Sequence, residues 1–149
     1  MAKPTAYDAL IVAAIKTAFE TLKTASAEYN VTAKSVFDSN PAPIAEGEQP
    51  VYNISEADED LLQQDSSLTY DDNNLQIYVD ILATTAAQCR QMKADAKKLI
   101  KANLQWGYSW ILTTRYITTQ RNVIDQLGNL IANRRIIIEV QYRQTAWSD

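Results

Sequence analysis

The chain has 149 residues, 46% of them hydrophobic and 21% charged, enough for one domain whose core needs no metal or disulfide staple. It contains no histidine and a single cysteine, Cys89, which excludes histidine triads and general bases, an intrachain disulfide and multi-cysteine zinc sites. The net charge of −4 conceals a separation: residues 1–34 carry +1, residues 35–89 carry −11 with no basic side chain, and residues 90–149 carry +6.

Pro4, Thr5 and Asp8 mark a helix start, with Thr5 as the cap. Tyr7, Leu10, Ile11, Ala14, Ile15, Ala18, Phe19 and Leu22 then follow helical spacing, and the helix is expected to end near Ala25–Ala27. Asp8 and Lys16 make this segment an amphipathic helix, not a signal peptide, and no apolar run approaches the roughly 20 residues of a membrane span. Val31–Asp38 reads as a strand, broken by Asn40-Pro41-Ala42-Pro43 because proline cannot donate to a central ladder. Val51–Ile54 is a short strand. Residues 55–74 show no strong period and are expected to form a long acidic loop with one helical turn near Asp58–Gln63.

Asn74–Leu104 is the pivot of the chain. Leu75, Ile77, Val79, Ile81 and Ala83 alternate with Gln76, Tyr78, Asp80 and Leu82, the pattern of a half-buried strand. At Thr84–Thr85 the period changes, and either threonine can cap a helix. Cys89, Met92, Ala96, Leu99, Ile100 and Asn103 form its inner stripe, and Arg90, Lys93, Lys97, Lys98 and Lys101 its basic faces. Gly107 breaks the chain before a strand at Tyr108–Thr119. Leu127, Gly128 and Asn129 place a turn within Asn122–Asn133. Arg134–Thr145 is the last strand, with Ile136, Ile138, Val140 and Tyr142 on one face and Ile137, Glu139, Gln141 and Arg143 on the other; Ala146–Asp149 is a short tail that Trp147 could anchor on a partner. These elements predict a single α+β domain: a two-layer sandwich, mostly antiparallel, with both helices on one face.

Chemistry is sparse in this sequence. Glu56, Asp58, Glu59 and Asp60, followed by Asp71 and Asp72, form a carboxylate cluster, but the glycine and glutamate of a calcium loop are out of register. A hydrolytic carboxylate pair would need an apolar cleft, so the cluster reads as a solvated or interfacial acidic face. Arg90, Lys93, Lys97, Lys98 and Lys101 could track phosphates, yet Asp95 interrupts them and no aromatic residues interleave. Arg134 and Arg135 form a contact at a loop end or a polar strand start. Trp106, Tyr108, Trp110 and Tyr116 are an aromatic patch suited to core packing or a protein interface. Three glycines in no phosphate-loop pattern leave no nucleotide cradle. No catalytic residue, cofactor or metal is expected. A single chain can pair its acidic and basic halves internally; equally, an assembly can set one copy's acidic surface against a neighbour's basic one.

The order of elements over Thr5–Thr145, above all the Asn74–Ala83 strand entering the Thr85–Leu104 helix and the closing Arg134–Arg143 strand, resembles the tail-terminator family of long-tailed bacteriophages and related neck proteins. The resemblance implies a non-enzymatic virion protein assembled in the host cytoplasm. It would form a ring, commonly hexameric, on the head-proximal end of the tail tube. Its partners would be the tail tube protein, the head–tail connector or neck proteins, and genomic DNA passing through the lumen without sequence-specific binding. The charged residues Glu56, Asp58, Glu59, Asp60, Asp71, Asp72, Arg90, Lys97, Lys101, Arg134 and Arg135 would then serve interfaces. The alternatives are a neck or head-closure protein of the same virion and a small carboxylate-dependent enzyme.

Overall fold

The computed structural model describes residues 3, 5–39, 46–64 and 70–145. The chain runs α1 (Tyr7–Glu20), β1 (Ser35–Asp38), β2 (Val51–Gln64), β3 (Tyr70–Leu82), α2 (Ala86–Ala102), β4 (Ile111–Ile124) and β5 (Leu130–Thr145), with 3₁₀ turns at Thr21–Lys23 and Glu46–Glu48. The strands form one five-stranded sheet in the order β1-β2-β3-β5-β4. Only β1 and β2 run parallel; every other pairing is antiparallel. This is the α+β architecture expected from the periodicity.

Both helices bury their apolar stripes on the same face of the sheet. Ile11, Val12, Ile15 and Phe19 of α1 and Cys89, Met92, Ala96, Leu99 and Ile100 of α2 share one cluster with Ile77, Val79, Ile81, Ile136, Ile138 and Val140. α1 lies over β1 and β2, whereas α2 lies over β3 and β5. The last strand is therefore interior: β5 separates β3 from β4, and Ile136, Ile137 and Ile138 are buried in succession, Ile136 and Ile138 in the helix-side core and Ile137 on the other face between Tyr78 and Thr118 of the flanking strands.

Capping differs between the helices. At α2, Thr85 Oγ1 accepts the Gln88 N–H, and Gln88 Oε1 accepts from the Thr84 N–H and hydroxyl, a reciprocal arrangement that satisfies orphan donors of the first turn. At α1 the cap is Ala6 without a side-chain bond, not the expected Thr5; Asp8 accepts from the Ala9 N–H instead. α1 ends at Glu20 and passes through a 3₁₀ turn, short of Ala25–Ala27.

The acidic loop expected at residues 55–74 is a correction. β2 continues through Gln64 and β3 begins at Tyr70, so both sides of the segment are paired strand. Register shifts between Glu56 and Glu59 and between Leu61 and Gln63 scramble the alternation that sequence reading relies on. Asp58–Gln63 accordingly holds no helical turn. Three smaller differences follow from pairing. The strand predicted at Val31–Asp38 is confined to Ser35–Asp38, where β2 is its partner. β4 starts at Ile111 and runs to Ile124, past the expected Thr119, because β5 pairs with it to the end. The turn contracts to Asp125–Asn129, where Asp125 Oδ1 accepts from the Leu127 and Asn129 N–H groups. The proline-rich Asn40–Pro43 and the Ala146–Asp149 tail lie outside the described residues.

Candidate functional site

Three cross-strand ion pairs cover the sheet face opposite the helices. Arg135 Nε and Nη2 donate to the two Asp80 oxygens at 2.7 and 3.1 Å, and the guanidinium stacks 4.1 Å over the Tyr78 ring. Arg143 repeats the arrangement with Asp72 at 2.7 and 3.1 Å and with the Tyr70 ring at 4.1 Å. Arg115 Nη2 donates to Glu139 at 2.6 Å. Each pair joins directly opposed residues of neighbouring strands. Burial pushes the Asp80 carboxyl above its ordinary range, and the Arg135 guanidinium offsets only part of that rise. Asp72 and Arg135, placed among the interface candidates by sequence, are thus occupied inside the fold.

The acidic residues of β2 fare differently. Glu56, Asp58, Glu59 and Asp60 are all exposed. Glu56 has its pKa raised by partial burial and by the carboxylates of Asp8, Glu59 and Asp38 around it. Glu59 accepts a hydrogen bond from the Tyr142 hydroxyl, and Tyr142 packs against Tyr7 and Trp110 with ring centroids at 5.8 and 6.0 Å. Asp8 and Asp38 come from elements far apart in the chain, so sequence spacing offers no sign of this convergence. Asp71 stands apart, with its Oδ1 buried and unpartnered among the described residues.

Glu56 gives a pH test. Its folded pKa lies above the ordinary 4.5, so between that value and the folded one the native state holds more protons than the unfolded chain, and stability falls as pH rises through this window. Glu56→Gln should therefore leave the melting temperature unchanged at about pH 4 and raise it at about pH 7. An equal shift at both pH values would show that the carboxylate's charge is not the cause.

On the opposite flank, α2 and β4 hold basic and apolar groups together. Lys97 Nζ sits 4.2 Å over the Tyr116 ring. Lys97, Lys101, Ile100, Leu104, Thr114 and Tyr116 line an open cavity of about 300 Å³. Beneath it the buried Trp106 donates from Nε1 to Thr114 Oγ1 at 2.8 Å, and that hydroxyl donates to the Leu104 carbonyl. Tyr108 stacks on Trp110 at 4.6 Å, so the aromatic patch divides between the core and the surface. Arg90 is exposed on the first turns of α2. Arg134 lies away from Lys97 and Lys101, beside Cys89 and the α2 N-terminus, with Nη1 donating to the Asn133 carbonyl. Burial raises the Cys89 thiol pKa, as suits a small core side chain.

Asp95 belongs to neither flank. It is 2% exposed and accepts from the Asn30 N–H, Asn30 Nδ2 and Val31 N–H at 2.9–3.0 Å, fixing the loop after α1 to α2. Its position three residues after Met92 and four before Leu99 puts it on the inner stripe, a signal available in the spacing.

Among the described residues no group of three or more Cys, Asp or Glu side chains is placed to hold a metal ion, and no helix is long and apolar enough to cross a membrane. No protein-family model matches the chain, and no curated protein matches it.

Proposed function

We propose that this protein is a structural, non-enzymatic component of a phage virion that forms a ring at the head-proximal end of the tail tube, ends tube growth and joins tail to head. One observation carries the reading beyond the resemblance in element order. The acidic, exposed half of β2 and the basic α2–β4 flank lie on opposite sides of the sheet order, β2 towards one end and β4 at the other. Internal pairing occupies Asp72, Asp80, Glu139, Arg115, Arg135 and Arg143, and leaves both flanks charged. A subunit with unlike flanks associates head to tail, and such contacts close into a ring when the rotation closes. The ring's mechanism is geometric: one rim complements the tube, the other the connector, and DNA passes through the middle.

Electron microscopy of the purified protein, alone and after incubation with isolated tail tubes, tests the proposal. The expected images are rings of several copies with a hole wide enough for duplex DNA, capping one end of the tubes. Particles without a hole that ignore tube ends would overturn it.

A further inference from the structure

We infer that copies of this chain join edge to edge through strand pairing, the outer side of β2 residues 55–64 of one copy adding to β4 of the next to make a continuous antiparallel sheet. The inference deepens the ring reading and rests on its self-association. Its ground is the pair of open strand edges. β1 covers β2 only from Val51 to Ile54, and among the described strands nothing pairs with that side of β2 beyond Ile54. β4 is the last strand at the other end, and its outer edge has no described partner along Ile111–Ile124. An unpaired edge of this length presents a row of N–H and C=O groups that templates another strand.

Strand direction is compatible. Three antiparallel steps lead from β2 through β3 and β5 to β4, so β4 runs opposite to β2. Rotation about an axis along the strands leaves directions unchanged, so β4 of one copy meets β2 of its neighbour antiparallel. β1 then ends where the incoming strand begins.

Charge selects the occupant. The β2 edge carries Glu56, Asp58, Glu59 and Asp60; the β4 side carries Arg121, with Lys97 and Lys101 of α2 beside Tyr116. Pairing β2 with a second β2 would oppose four carboxylates to the same four, and pairing two β4 edges would oppose cations, so both two-fold dimers are disfavoured. Only the unlike pairing brings opposite charges together. Exposed apolar side chains lie on both edges: Leu61 on β2 is 59% exposed, and Leu112 and Ile117 on β4 are 40% and 42% exposed. These are the groups an interface core would cover.

The test uses two full-length variants and light scattering after size-exclusion chromatography, at low and moderate salt. Asp58→Lys/Asp60→Lys cancels the charge of the β2 edge, setting two lysines against Glu56 and Glu59; Lys97→Glu/Lys101→Glu/Arg121→Glu reverses the β4 side. All five positions are exposed, and circular dichroism checks that each variant folds. Wild type should assemble beyond a dimer, with salt weakening the assembly. Each variant alone should be monomeric, its self-association constant weakened about tenfold or more. Each retains one native edge, and the two altered edges, one neutral and one acidic, do not attract each other, so an equimolar mixture should give a heterodimer through the native edges. Variants that keep the wild-type size overturn the edge pairing and leave the ring reading standing, as do monomeric variants that fail to form a heterodimer. A wild type that is monomeric at every salt and concentration overturns the edge pairing, and the ring reading is then decided by the images with isolated tail tubes.

Discussion

Asp95→Ala is expected to destabilise the fold by about 3–4 kcal/mol in chemical denaturation, the largest single effect of any polar residue on the helix layer. The carboxylate is buried and receives three donors, two of them backbone N–H groups of Asn30 and Val31. Hydrogen bonds to a charged group contribute roughly 1.5–3 kcal/mol each, and the three share one acceptor, so their sum is less than additive. Alanine removes the acceptor and leaves those donors facing a small apolar gap. Elsewhere the loop is tied to α2 by Lys98 Nζ, which donates to the Glu28 carbonyl at the surface, and its far end is held by backbone bonds from the Ala33 and Lys34 N–H groups to the Leu22 and Pro50 carbonyls. Loss of Asp95 should also release the segment locally, so hydrogen exchange at Asn30 and Val31 should accelerate by more than global destabilisation accounts for. Asp95→Asn keeps one accepting oxygen and should recover part of the loss. A cost under about 1 kcal/mol for the alanine variant would mean that the loop finds other partners without difficulty.

What sequence reading recovers here follows from the range of the interactions. The Leu75–Ala83 alternation and the Cys89–Ile100 stripe are local patterns, and both mark their elements, with Thr85 the cap of the two candidate threonines and with Asp80 and Leu82 of the other strand face also buried. β2 and the start of β3 were illegible for the opposite reason. Asp71, Asp72, Asn73 and Asn74 read as loop residues, yet in the fold Asp72 is opposed by Arg143, seventy-one positions later. Bulges at Glu56–Glu59 and Leu61–Gln63 remove the alternation that would have marked β2. The strand expected at Tyr108–Thr119 stops short of Ile124 because Gln120, Arg121 and Asn122 carry no apolar alternation and a register shift falls between Val123 and Ile124. Of the charged candidates, Asp72 and Arg135 are absorbed by the sheet, whereas Glu56, Asp58, Glu59 and Asp60 remain exposed together. The opposition of the acidic and basic flanks needs the strand order, which no single segment encodes.

Arg135→Ala is expected to cost about 3–5 kcal/mol, and its partner explains why. Asp80 is on β3 at 2% exposure, held by both nitrogens of the guanidinium fork, with Tyr78 stacked on the other side of the arginine. The pair as a whole adds modestly to stability, because desolvation of two ions consumes most of their attraction. Removing one partner changes the balance: a carboxylate stays buried with nothing opposite. Its pKa, already above the ordinary 3.8 through burial, rises further once the offsetting guanidinium is gone. The native state of the variant then holds a proton that the unfolded chain releases, so stability declines as pH rises from about 3.8 to the folded pKa and stays low above it. Urea denaturation across that range should show the Arg135→Ala deficit growing with pH. Asp80→Asn added to Arg135→Ala removes the stranded charge while keeping a hydrogen-bonding amide, and should restore part of the loss at neutral pH. A double variant as unstable as the sum of the two single changes would place the cost in lost packing over Tyr78 instead, since only a buried unpaired charge makes the second substitution compensate the first.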